Sequence, residues 1–478
     1  MTTITPASMS GTNAGLVRGL GVLAAAAILI GDVIGTGVFL KARVMTCNVD
    51  TPGMVLVAWA VAGLLSLAGA LTYAELAAMM PRAGGEYVFI RQAYGSLPGF
   101  LYGWTRFFVA STGGIAGLAA GFAIFMNIVS GGIPEGYRLS VGVFGTELGL
   151  GGVQIVALAA IAIVTLVNCS AVAVSGRIAL LLTIFKIALV LGVGFGAVFL
   201  ADGSWSHFAL VNEGGTCDDV AAAARGGFAG FGAAMLGALW AYNGWNEVTY
   251  VAEEVKDPQR NLPLALIGGL GVIAALYLFV NAAYFYVLTP TEVASVPLSS
   301  AVASEVIGRA IGPAAAAGMA GVLAMSIFGA LLIADLVSAR IPYAMARDGM
   351  FFASLARLSP RTRVPVRALV AQALWAGVLV LSGSFDTLTD YAIFSVLIFV
   401  SLATASVYVF RRTQPDTPRA YRTWGYPVVP ALFLLVSGWL IVNTLLTTPG
   451  RALAGLVLMA LGLPFYWYWS RTARDTSR

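Results

Sequence analysis

The chain has 478 residues, 59% hydrophobic and 10% charged, with a mean hydropathy of +0.88 and a formal net charge of +5. Soluble domains carry roughly 25% charged residues, so this composition excludes an ordinary soluble globule and points to an integral membrane protein. The positive residues gather in short connections between apolar segments, as membrane topology requires, and are not a nucleic-acid signature.

The N-terminal ~17 residues are polar and lack the parts of a secretory signal, so the first apolar segment is expected to be retained. Twelve membrane helices are predicted, at roughly 19–41, 54–80, 98–129, 152–173, 178–200, 228–253, 262–288, 314–342, 366–383, 388–410, 427–447 and 452–470. With the N-terminus inside, about 19 of the 27 lysines and arginines fall on the cytoplasmic side, which predicts that both termini are cytoplasmic. About six (Lys41, Arg43, Arg138, Arg225, Arg309 and Arg451) fall in outer loops, while Arg106 and Lys186 lie within spans.

Helix 1 is interrupted by Gly35-Thr36-Gly37. Lipid offers no hydrogen bonds to freed backbone groups, so irregular backbone in a span is tolerated only where it lines a cavity or is buried in protein. Unwinding here would present the amides of Gly35, Thr36 and Gly37 to a carboxylate, and the carbonyls near Val33 and Ile34 to an ammonium. One break can thus hold both ends of a zwitterionic α-amino acid. Close helix packing through small residues is the alternative. Asp32 lies one turn below the break. Its expected partner is Lys186 or a water-filled inner vestibule; otherwise it caps local backbone. Lys186 is placed about seven residues into helix 5, or ~10 Å from its inner end. It either snorkels to the surface or sets its ammonium against the carbonyls of the first break.

A second interruption, Trp240-Ala241-Tyr242-Asn243-Gly244-Trp245-Asn246, falls about 208 residues after the first. Paired breaks in corresponding halves mark the binding sites of secondary transporters. The carbonyl near Trp240 would help hold the ammonium, Asn243 and Asn246 would add side-chain contacts, and Trp240 would close the outer side as a gate. Helices 1–5 (19–200) and 6–10 (228–410) can be laid over each other as inverted halves. Helices 11 and 12 (427–470) and the tails 1–18 and 471–478 lie outside this repeat. The longest polar interruptions are 201–227, which holds His207 as a solvated loop residue, and 343–365. Cys169 is an inert apolar residue near the inner end of helix 4. Cys47 and Cys217 fall in external loops, as two thiols or as one disulfide.

The end of helix 6, Glu253-Glu254-Val255-Lys256-Asp257-Pro258-Gln259-Arg260-Asn261-Leu262-Pro263, resembles the amino acid–polyamine–organocation superfamily, and most closely its L-type amino-acid transporter branch. Tyr73-Ala74-Glu75-Leu76 with Pro81-Arg82-Ala83-Gly84-Gly85-Glu86-Tyr87 is similar to the superfamily signature after helix 2, and Arg340 with Ala346-Arg347-Asp348-Gly349 to that after helix 8. The resemblance covers about 19–470 and implies an all-α LeuT-type fold of twelve spans, a five-plus-five inverted repeat with helices 1 and 6 discontinuous. It implies sodium-independent amino-acid transport, with Lys186 replacing a sodium ion, Trp240 gating and Glu75 structural.

Three departures narrow this. Asn243 stands where the branch usually has glycine. Helix 10 reads Tyr391-Ala392-Ile393-Phe394-Ser395-Val396-Leu397 and lacks the tryptophan expected for large aromatic substrates. The 130–151 stretch has no cysteine to bind the ancillary glycoprotein of animal members, so no such partner and a bacterial inner membrane are expected. The expected function is alternating-access exchange of neutral L-amino acids. Proton-coupled symport through Asp32 or Lys186, and a non-transporting amino-acid sensor, are the alternatives. No enzyme activity, metal or cofactor is expected, because the spans hold no histidine and no Ser–His or metal cluster.

Overall fold

Apolar runs in lipid must satisfy their backbone groups internally, and the chain does so with helices. The computed structural model describes residues 15–130, 139–143, 146–297, 300–382, 385–447 and 449–475. Most of the two expected tails, Arg138, and the side chains of Tyr391 to Ile393 and of Arg451 lie outside the described set.

The first apolar segment is a bent pair, α1 (Val22–Val33) and α2 (Gly37–Val49), turning by 41° at the break. α2 runs past residue 41 and ends at Asp50 with φ 60. Lys41, Arg43 and Cys47, expected in a loop, therefore lie on this helix. Thr51 caps α3 (Pro52–Met79) by accepting from the Met54 amide, with Pro52 preset for the first turn. α4 (Glu86–Tyr94) and α5 (Ser96–Thr105) follow, and α5 passes through a π-helical turn, Arg106–Ala110, into α6 (Ser111–Val129). Part of the 130–151 stretch forms a hairpin, β1 (Leu139–Val143) against β2 (Thr146–Leu150).

α7 (Gly152–Asn168) precedes α8 (Val172–Leu200). α8 begins six residues earlier than expected, because Gly176 and Arg177 continue the helix instead of breaking it. Lys186 is therefore ~21 Å from the start of α8, not ~10 Å. α9 (Gly227–Tyr242) stops at the second break, and a 3-10 segment, Glu247–Glu254, follows it. α10 (Pro258–Val287), α11 (Pro290–Ala294), α12 (Val302–Ile311), α13 (Pro313–Ser338), α14 (Arg340–Arg347), α15 (Val366–Ser382), α16 (Phe385–Thr413), α17 (Val428–Thr447), α18 (Pro449–Ala460) and α19 (Gly462–Asp475) complete the chain.

Among the described residues, eight helices are long and apolar enough to cross a membrane, and nine if α1 and α2 count as one span. The chain is a multi-pass membrane protein. α7 and α15 are apolar but shorter, at 17 residues each. α1 packs among α8, α10 and α13, and α2 lies along α9, so the two breaks sit side by side in the core.

Candidate functional site: two broken helices and the groups between them

α1 ends with the Ile34 amide donating to Ile30 O at 2.9 Å. The Gly35 amide folds back onto Val33 O at 2.8 Å, so it is engaged and does not face outward as expected. The first bonds of α2 run from Phe39 and Leu40 to Thr36 O. Among the described residues this leaves the amides of Thr36, Gly37 and Val38 open at a helix N-terminus, a ready site for an anion.

The two glycines differ. A Cβ on Gly35 would meet nothing nearer than Val33 O at 4.0 Å, so Gly35 borders open space. A Cβ on Gly37 would lie 2.6 Å from Ala241 Cβ and 2.9 Å from Ala241 Cα. Gly37 is thus a contact between α2 and α9, the packing alternative, while Gly35 is the residue that faces the gap.

The expected ammonium carbonyls each accept a protein donor. Lys186 Nζ, fully buried, donates to Gly31 O at 2.5 Å and Ile34 O at 2.8 Å. With no exposure it does not snorkel. Tyr277 was not anticipated: its hydroxyl lies 3.0 Å from Val33 O and 3.1 Å from Ala241 O, bridging the two breaks. Trp59 and Tyr242 pack against its ring. Trp240 O accepts from the Asn243 amide at 3.2 Å. Ile34 O and Trp240 O each keep a second lone pair, while Val33 O takes both the Gly35 amide and the Tyr277 hydroxyl.

At the second break Gly244 adopts φ +105, a conformation that favours glycine, and a Cβ there would meet Asp32 Oδ2 at 2.7 Å. Asp32 therefore lies against the second break and is not capping its own helix. It is partly exposed and, among the described residues, has no cationic group within 4 Å; Glu247, Lys186 and Arg106 act on it from further away. Asn243 is exposed at the gap. Asn246 is buried and donates to Glu86 Oε1 at 3.0 Å, so its amide is turned away from the gap. Trp240 is 42% exposed, with Lys41 Nζ 4.4 Å from its ring centre.

Below the gap lies a buried polar network that the sequence did not announce. Arg106, on the π-turn, is bonded to Glu247, and its guanidinium lies 2.6 Å from the Tyr250 hydroxyl. Glu86 accepts from Tyr73, Tyr102, Tyr250 and Asn246. A lone arginine inside a span was the one signal for this network. Further along, the N-terminal face is closed. Leu20 bridges to Val255 in parallel, with Leu20 N to Glu254 O at 3.0 Å and Lys256 N to Leu20 O at 2.8 Å. Arg340 and Glu254, both fully buried, pair at 2.7 and 3.0 Å, and Arg347 holds Glu253. Glu75 pairs with Arg411 and caps Thr423, a structural arrangement.

At the opposite face Cys47 and Cys217 are joined in a disulfide. Arg43 donates to both oxygens of Asp219 at 2.8 and 2.7 Å. The 201–227 connection is thereby pinned to α2. The Arg43 guanidinium holds the Asp219 carboxyl below the usual carboxylate range through its hydrogen bonds. His207 is half-buried there, with Nδ1 3.3 Å from Phe285 O. Cys169 is a free, half-buried thiol.

The family model described as "Amino acid permease" matches residues 20–466. The chain belongs to the amino acid permease family. The permease is 30% identical over 453 residues to the b(0,+)-type amino acid transporter 1 of Mus musculus, covering 94% of this chain and 88% of that protein. It is 30% identical over 458 residues to the serine/threonine exchanger SteT of Bacillus subtilis (strain 168), covering 95% and 97%. It is 29% identical over 473 residues to the large neutral amino acids transporter small subunit 2 of Mus musculus, covering 97% and 83%. The permease is thus an amino-acid transporter by family, not an enzyme, and a serine/threonine exchanger is among its relatives.

Proposed function

We propose that this permease exchanges neutral L-amino acids across a bacterial inner membrane, without sodium, by alternating access. The observation that carries this is the open amide end of α2 beside the carbonyl ends of α1 and α9 in one gap, closed on the N-terminal face. The substrate carboxylate would take the Thr36, Gly37 and Val38 amides. Its ammonium would take the second lone pairs of the Ile34 and Trp240 oxygens, with Asp32 as nearby counter-charge. Trp240 would swing over the gap from the α9 side as a gate. Lys186 stands where its ammonium can do the electrostatic work of a sodium ion at the α1 carbonyls.

The wider architecture would be the LeuT-type five-plus-five repeat with twelve spans. Nine spans, the short apolar α7 and α15, and the broken α9 make up that number. Four of the five proposed helix pairs touch, helix 1 with helix 6 through α2 and α9, and then α3 with α10, α6 with α13 and α7 with α15. A pseudo-two-fold axis between inverted halves brings equivalent elements together in this way. Both termini would be cytoplasmic, and no glycoprotein subunit is proposed.

Uptake of labelled amino acids by purified protein in liposomes, with and without unlabelled amino acid inside, tests this reading. Exchange requires uptake to depend on internal amino acid. The partly exposed Asp32 favours a second reading, proton-coupled symport. That reading requires uptake driven by an inward proton gradient with empty liposomes.

A further inference from the structure

Asp335 on α13 takes no part in the site described above. It is fully buried. Its carboxylate accepts from Asn168 Nδ2 of α7 at 2.9 Å and from Gln372 Nε2 of α15 at 2.8 Å, and Thr165 of α7 faces it. These partners are neutral. Among the described residues the charged or titratable groups that act on it are Arg340 of α14 and the Cys169 thiol after α7. Arg340 is bound to Glu254 by two hydrogen bonds and to Leu336 O by another. The cluster thus holds one buried guanidinium and two buried carboxylates, Glu254 and Asp335, each fully shielded from solvent. A bare negative charge left over in such a place is costly.

One added proton makes the cluster neutral. It needs no cavity. A sodium ion would need five or six oxygen lone pairs, and amide hydrogens already point at both carboxylate oxygens. We propose that Asp335 is a proton-binding site, protonated while Arg340 holds Glu254 and deprotonated when Glu254 departs with the 3-10 segment. On opening of the N-terminal face, the Arg340 charge is released and becomes the counter-charge of Asp335. The carboxyl O–H bond breaks, its electron pair stays on Asp335, and the proton passes to water entering the face. Acid then favours the closed form and alkali the open one. The link to opening rests on the transport reading; proton binding at Asp335 does not.

Infrared difference spectroscopy of the purified parent and Asp335→Asn, titrated from acid to alkaline buffer, tests the site without requiring transport. The expected result is a protonated-carboxyl band in the acidic parent that fades as pH rises and that Asp335→Asn lacks. Gln372→Leu removes a donor to the ionised form and should move the midpoint up by about one pH unit. This second variant carries the test if Asp335→Asn does not fold. Identical carboxyl regions in parent and Asp335→Asn, a band that never titrates, or a midpoint set by sodium against choline would each overturn the proposal. For the link to opening, the pH dependence of counterflow should flatten in Asp335→Asn, and an unchanged profile would break that link.

Discussion

Gly35 and Gly37 stand two residues apart, yet the structure assigns them opposite sensitivities. Gly35 has a negative φ and open space beside it, so Gly35→Val should leave the fold within about 1 kcal/mol of the parent. Its two γ-methyls would occupy the space in front of the open amides. A carboxylate kept from two charge-assisted hydrogen bonds loses about 3–6 kcal/mol, or at least a hundredfold in affinity. Gly37→Ala instead drives a methyl to 2.6 Å from Ala241 Cβ, about 0.8 Å inside the closest ordinary contact of about 3.4 Å. Overpacking of that kind costs about 1–3 kcal/mol, so it should lower thermal stability and spread α2 from α9. Isothermal binding and melting of the two variants in detergent separate the effects. Gly35→Val is expected to melt like the parent and fail to bind, and Gly37→Ala to melt early. Parent-like binding by Gly35→Val would refute the placement of the carboxylate at the first break.

Lys186→Met should leave the Gly31 and Ile34 carbonyls without their donor, at about 1–3 kcal/mol each, and lower the melting temperature, while uptake by the parent should be equal in sodium and choline media. Removing one partner of the Arg106–Glu247 pair strands a charge beside the gap, which costs about 3–5 kcal/mol. Arg106→Gln with Glu247→Gln should therefore cost less than the sum of the single changes in a melting cycle, and additive losses would show that the two charges do not stabilise each other. At the face opposite the N-terminus the depressed Asp219 carboxyl keeps its hold on Arg43 above the ordinary carboxylate range and loses it as pH falls through its own lowered one. Protection factors in 201–227, taken relative to the intrinsic exchange rate at each pH, should accordingly fall on acidification in the parent, and Arg43→Gln should show the lower protection already at neutral pH. Alkylation of non-reduced protein followed by mass spectrometry should find Cys47 and Cys217 protected together.

The features legible in the sequence were those that a single residue type announces. Glycines inside an apolar run marked both breaks, and a lysine inside a span marked itself. Helix ends were less legible. α8 carries Gly176 and Arg177 within its first two turns, Gly176 packed against Leu20 and Arg177 exposed, so neither breaks the helix. Roles that depend on distant partners were not legible at all. Asn246 looked like a ligand, but its partner Glu86 comes from 160 residues earlier. Tyr277 reaches Val33 across 244 residues, and Arg106 reaches Glu247 across 141. A tyrosine in a long apolar helix carries no sign of the carbonyl it will bridge. Asp32 drew notice as a carboxylate within an apolar run, but its position against Gly244 follows from the fold alone.

Counterflow in proteoliposomes tests the central claim most directly. Purified protein is reconstituted with a panel of unlabelled amino acids inside, and labelled amino acid is added outside in choline medium without a pH gradient. The account expects uptake only when a neutral L-amino acid is present on the inside, unchanged when sodium replaces choline. Uptake that is indifferent to internal amino acid, or that appears only with sodium or an imposed proton gradient, would contradict it.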